Sequence, residues 1–159
     1  MKGLLALVFV SALCLGASAQ AATPPASIMG RWALDTSRMP MPPEARPKRV
    51  TITFDDAGSN RLSMDVVIAY TEDNQVHSTG TASLDGTPIA VVGSPEADTA
   101  AMKRPAPNVL VLGLSQGGNP ASTRVYTVAP DGKSMIETVS ALGADRRPTM
   151  KTNYFTRLP

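Results

Sequence analysis

Between residues 50 and 70 apolar and polar side chains alternate one by one, and a period of two belongs to an extended chain. Val50, Ile52 and Phe54 alternate with Thr51 and Thr53. Leu62, Met64, Val66, Ile68 and Tyr70 then share one phase, with Ser63, Asp65 and Ala69 on the other. Successive side chains of a strand point to opposite faces, so each run reads as a half-buried strand. Thr, Val, Ile and Tyr favour this conformation because their branched or flat side chains pack well on a pleated surface. The same theme predicts strands over 76–84, 89–92, 109–114, 123–129, 134–142 and 149–158. Asp85-Gly86 and Asp131-Gly132 suit tight hairpins, since Gly accepts the positive φ they need. Asp55-Asp56-Ala57-Gly58 and Gly117-Gly118-Asn119-Pro120 read as looser turns. Short strands joined by short turns predict an all-β chain folded as an antiparallel up-and-down β-barrel of about eight to ten strands.

Two segments depart from the pattern. Ser94-Pro95-Glu96-Ala97-Asp98 carries an N-cap residue, a proline at the first helical position and early acids, the signature of a helix start. Pro105 would end it soon after, so a helical turn and then a short strand near 100–104 are expected. Residues 38–47, Arg-Met-Pro-Met-Pro-Pro-Glu-Ala-Arg-Pro, cannot form a central strand, because proline has no ladder donor. They are expected to link the first strand to the second as an irregular arm.

The N-terminus reads as an export signal. Lys2 precedes an apolar run from Leu4 to Leu15, and Ala17-Ser18-Ala19 offers the small-x-small pattern of a cleavage site. That run is shorter than the roughly 20 residues needed to span a bilayer. Residues 1–19 are therefore expected to be a cleaved signal peptide, 20–27 a flexible lead and 28–159 one barrel domain. The expected location is secreted or periplasmic, with no membrane-spanning segment. Cys14 is the only cysteine and lies within the signal, preceded by Leu13 where a lipidated cysteine would follow a small residue. The mature chain then has no thiol for a disulfide or a cysteine-ligated zinc. Setting Lys2 aside from the 15 basic residues leaves 14 against 13 acidic ones, close to balance. With no basic cluster interleaved with aromatics, no nucleic acid partner is expected. Arg46-Pro47-Lys48-Arg49 reads as a solvated loop.

Gly30-Arg31-Trp32 opens the first strand directly after the lead, and this Gly-x-Trp resembles the first-strand motif of lipocalins and related calycin barrels. Their tryptophan plugs the closed end, with a basic residue of the last strand packed across it. The resemblance gives Gly30, Trp32 and Arg157 that structural part, and a guanidinium over an indole gains cation–π attraction. The chain also resembles the small exported lipocalin-like proteins of bacteria. The matching features are Gly30 to Leu34 with Ser37, the turn Asp55 to Gly58, Asp85 to Pro88, Ala97 to Thr99, and Pro130 to Lys133. This resemblance implies a fold and supplies no activity.

No catalytic constellation is visible. His77 is the only histidine, which excludes a multi-histidine metal site, and its same-strand neighbours Gln75, Thr79 and Thr81 include no carboxylate. It reads as a polar surface or barrel-lining residue. Asp55-Asp56 and Glu72-Asp73 read as turn acids. Arg124 and Tyr126 project from one face of a strand. The pair resembles the Arg-x-Tyr carboxylate clamp of intracellular fatty-acid-binding barrels, although there it sits on the last strand and here two strands follow. An exposed cross-strand contact is the expected reading, and an anion clamp in the barrel interior is the alternative. Methionines such as Met64 suit either a core or an adaptable apolar site.

A barrel of this size either holds one small ligand or is filled by its own side chains. The leading expectation is a site for a small hydrophobic or amphipathic ligand in the cell envelope, lined by Arg124, Tyr126, Met64, Tyr70 and His77. No cofactor, metal or catalytic residue is assigned. The alternative is a filled barrel acting as an interaction or inhibitor module. Oligomeric state is left open.

Overall fold

The computed structural model describes residues 26–159. The signal-peptide assignment, Cys14 and all but the end of the 20–27 lead lie outside the described residues. Ten strands make one sheet: β1 Gly30–Leu34, β2 Arg49–Asp56, β3 Arg61–Ala69, β4 Gln75–Ser83, β5 Ile89–Ala90, β6 Thr99–Ala106, β7 Val109–Gln116, β8 Asn119–Val128, β9 Ser134–Leu142 and β10 Pro148–Arg157. Their order is β4-β3-β2-β1-β10-β9-β8-β7-β6-β5, and every paired neighbour is antiparallel. Only β1–β10 joins strands distant in sequence. The two ends of the order meet where Thr79 and Val92 exchange backbone hydrogen bonds of 3.0 and 3.2 Å. The result is a nearly closed barrel with its seam beside β4 and β5.

The alternation read from the sequence decides what points inward. Ile52 and Phe54 of β2, Leu62 of β3, Met102 of β6, Leu110 and Leu112 of β7, Tyr126 and Val128 of β8, Met135 of β9 and Phe155 of β10 form one buried cluster. Each such side chain contributes roughly 1.5–3 kcal/mol by leaving water. Ile28 and Trp32 seal the cluster at one end, both with no exposed surface. Phe54 and Phe155 meet Tyr126 edge-on, with ring centroids 5.3 and 6.5 Å away.

Several local expectations need correction. Residues 94–98 form bends and no helical turn. The Ser94 hydroxyl does accept from the Glu96 N–H at 3.2 Å, as a cap would. The Asp98 N–H, however, donates to Ser115 O at 3.0 Å, and that bond draws the chain into the sheet. β6 runs on through Pro105, which the sheet accommodates at a register shift between Lys103 and Ala106, where no ladder donor is missed. Gly117 and Gly118, at φ 57° and 77°, alone join β7 to β8, and Asn119 already pairs with Gln116. That connection is a tight hairpin, because positive φ at both central residues matches strand twist. Asp85-Gly86 makes no tight hairpin, since Asp85 bridges to Lys103 of β6 and the segments flanking the turn first pair with each other at Thr79 and Val92. Residues 129–133 make a longer β8–β9 turn than a two-residue one. There Asp131 accepts from the N–H groups of Lys133 at 2.8 Å and Ser134 at 3.2 Å.

Residues 35–48 form the irregular arm between β1 and β2, with single 3-10 turns at Thr36–Arg38 and Pro43–Ala45. Arg46 staples it, donating to Met41 O at 2.9 Å and Ser37 O at 2.7 Å. Arg38 lies 3.3 Å over the Tyr154 ring and holds the arm against β10.

Candidate binding cavity

The two ends of the barrel differ. At the closed end Trp32 and Arg157 are register partners on β1 and β10, and the guanidinium carbon lies 4.1 Å from the indole centroid. The indole N–H donates to Ile28 O at 2.9 Å. Arg157 donates to three backbone carbonyls: Gly132 O at 2.5 Å, Met29 O at 2.6 Å and Ser27 O at 2.6 Å. One charged side chain thereby ties the segment before β1, the β8–β9 turn and β10 together over the tryptophan. Gly30 makes room for it, because a Cβ there would stand 2.5 Å from Arg157 Nη1.

Toward the other end the side chains do not meet, and a cavity of about 270 Å³ remains. Its walls are mostly apolar: Ile52 of β2, Met64, Val66 and Ile68 of β3, Met102 of β6, and Leu112 and Leu114 of β7. Met39, Met41 and Pro47 of the arm line it from one side, and Ser94, Pro95 and Glu96 of the β5–β6 loop from another. The exposed lining residues Met41, Tyr70, Glu96 and Lys151 mark the opening.

One wall is polar. Arg124 and Tyr126 both face inward, so the cross-strand contact expected on an exposed face is made inside the barrel. Arg124 Nη1 donates to Glu137 Oε1 at 3.3 Å, and Asn153 Nδ2 donates to Glu137 Oε2 at 2.6 Å. Glu137 is 2 % exposed. Arg124 Nη2 also donates to Glu96 Oε2, a carboxylate whose side chain is 59 % exposed. Burial works against the Arg124 charge, but Tyr126, Glu137 and Glu96 outweigh it and hold the guanidinium more firmly protonated than usual. The Tyr126 hydroxyl is buried and makes no hydrogen bond of normal geometry among the described residues, although Glu137 and Arg124 stand close enough to act on its proton. Burial first, and the Glu137 charge second, push its pKa well above 10.0, so it remains an O–H donor.

Four of the five residues assigned to the interior, Arg124, Tyr126, Met64 and Tyr70, line this one cavity. His77 does not. Its side chain is 58 % exposed, and its Nε2 lies 2.5 Å from Asp65 Oδ2. Spacing along β4 does not reveal this carboxylate, which comes from β3 on the diagonal, Asp65 being opposite Thr79 and Val67 opposite His77. Glu137, Asn153 and Glu96 were not singled out from the sequence. Glu137 had a readable signal, since it shares the inward phase of Met135 and Val139. Glu96 had none, because only the folded loop brings it 28 residues along to Arg124.

Among the described residues, no group of three His, Cys, Asp or Glu could hold a metal ion, and no helix is long and apolar enough to cross a membrane. Compared with protein-family models, with curated proteins and with solved structures, the chain matches none.

Proposed function

We propose that this protein is a binding module that holds one small, largely apolar molecule inside the barrel, with its polar end at Arg124 and Tyr126. The observation that carries this reading is the apolar cavity of about 270 Å³ ending on a buried hydroxyl that has no partner. A buried donor without an acceptor costs stability, so a site that keeps one gains when a ligand supplies the acceptor. The volume lies near the lower bound of small-molecule sites, roughly 300–1,000 Å³, which suits a single medium-length chain or a compact ring. Flexible Met39, Met41, Met64 and Met102 around the space adapt to varied apolar shapes. The filled-barrel interaction module has less support, because it requires that this space be occupied by side chains.

The kinship with exported lipocalin-like barrels belongs to the same proposal, supported by the Trp32–Arg157 closure. So does placement in the cell envelope, supported by the signal-like pattern of residues 1–19.

Titration calorimetry of the protein with decan-1-ol and decanoate tests the reading. Saturable one-to-one binding with a negative heat-capacity change is expected, because apolar surface is buried. Leu114→Trp, which places an indole in the cavity, should abolish binding while the thermal midpoint is kept. No saturable heat with either probe, or unchanged binding by the Leu114→Trp variant, would overturn it.

A further inference from the structure

The polar wall contains a carboxylate of two different kinds. Glu137 is fixed: it is buried, receives donors from Arg124 and Asn153, and lies within the sheet on β9. Glu96 is not. It sits on the β5–β6 loop outside any strand, more than half of its side chain is in water, and among the described residues its carboxylate is paired with Arg124 alone. Arg124 and Glu137 already cancel as charges, so Glu96 is the additional anion that the guanidinium accepts at the side facing the opening.

We propose that Glu96 stands in for the ligand, and that the cavity takes a single-chain carboxylic acid whose head group displaces Glu96 from Arg124. This rests on the cavity being a binding site. A ligand carboxylate entering from the opening has two oxygens to place. One takes the Arg124 Nη2 position that Glu96 occupies, and the other reaches the donor that has no acceptor, the Tyr126 hydroxyl. The exchange conserves charge at the wall, since one carboxylate replaces another, and the released Glu96 returns to full hydration at small cost. Lys151, exposed at the opening, favours the approach of an anion. An alkylammonium would have to sit against Arg124 with Lys151 nearby. An alcohol could use Tyr126 but would have no charge with which to compete for Arg124.

The test compares decanoate, decan-1-ol and decylammonium, which share one tail, on the full protein and on Glu96→Ala and Glu96→Gln. Because Glu96 is exposed and lies outside the strands, both variants should fold, with unchanged circular dichroism as the check. Removing the internal competitor should tighten decanoate by about fivefold and shift decan-1-ol by less than about twofold. Decanoate affinity that is unchanged or weaker in both variants would overturn the exchange, as would a preference for decylammonium over decanoate. If all three probes bind alike in every variant, the exchange falls while the cavity reading stands. If none binds, both fall.

Discussion

Arg124 and Glu137 face the barrel interior from adjacent strands and pair diagonally at 3.3 Å, since Tyr126 is directly opposite Glu137 and Arg124, two residues along β8, is opposite Val139. Two opposite charges inside an apolar barrel gain little as a pair over apolar residues of similar size, since both lose hydration. Losing one partner is far worse, because the other charge stays buried. Arg124→Met should therefore destabilise the protein by about 3–5 kcal/mol, and Arg124→Met with Glu137→Leu should return it to within about 1 kcal/mol of the parent. Urea unfolding of the two variants decides this. A single change that costs nothing would mean that the pair does not hold this wall.

Tyr126 gives a second expectation, of opposite sign. Its hydroxyl is buried and unpartnered, so Tyr126→Phe should stabilise the free protein by about 1 kcal/mol and weaken decanoate binding. The same residue sets an alkaline limit. Its folded pKa lies well above 10.0, pushed there by burial and then by Glu137. Above about pH 10 the unfolded tyrosine loses its proton while the folded one keeps it. Stability from this group is thus fully present below that pH and declines as pH rises beyond it. Thermal melts between about pH 9 and 11 should fall less steeply for Tyr126→Phe than for the parent.

At the closed end Arg157→Met removes donors from three carbonyls and the contact with Trp32, and should cost about 3 kcal/mol. Arg157→Lys should recover less than half of it, because an ammonium lacks the planar fork that reaches all three. Gly30→Ala should also destabilise, since φ is +114° and its Cβ would meet the guanidinium. Trp32 emission followed through urea unfolding reads all three. A loss below about 0.5 kcal/mol for Arg157→Met would contradict the closure described.

Much of this barrel is legible in the sequence because its strands alternate. Ile52, Phe54 and Leu62 fall on the apolar phase of alternating runs, and that is the face the barrel buries, whereas Leu110 and Leu112 lie in a continuous apolar run whose phase only the pairing decides, and Tyr126 is buried where an exposed contact was expected. Turn geometry is less legible. Gly117-Gly118 and Gly117-Gly118-Asn119-Pro120 differ only in whether Pro120 can sit in a strand, and the register shift at Leu114–Ser115 that admits it is a tertiary event. The helix-start signature at Ser94 failed for a related reason. Its local cap does form, but bonding of Asp98 to β7 overrides the helix. The polar wall is legible in part. Arg124 and Tyr126 share a phase on one strand, whereas the Arg124–Glu96 contact depends on how a loop folds back, and no periodicity encodes that.

Methyl-labelled methionine offers the most direct measure of the central claim, that the open end of the barrel is a ligand site. Met39, Met41, Met64 and Met102 line the cavity, whereas Met135 is buried in the closed core and Met150 projects 76 % exposed outside it. On titration with decanoate, the methyl resonances of the first four should shift together with one saturation curve while Met135 and Met150 stay in place. Shifts confined to Met150, or none at any methionine, would contradict the account.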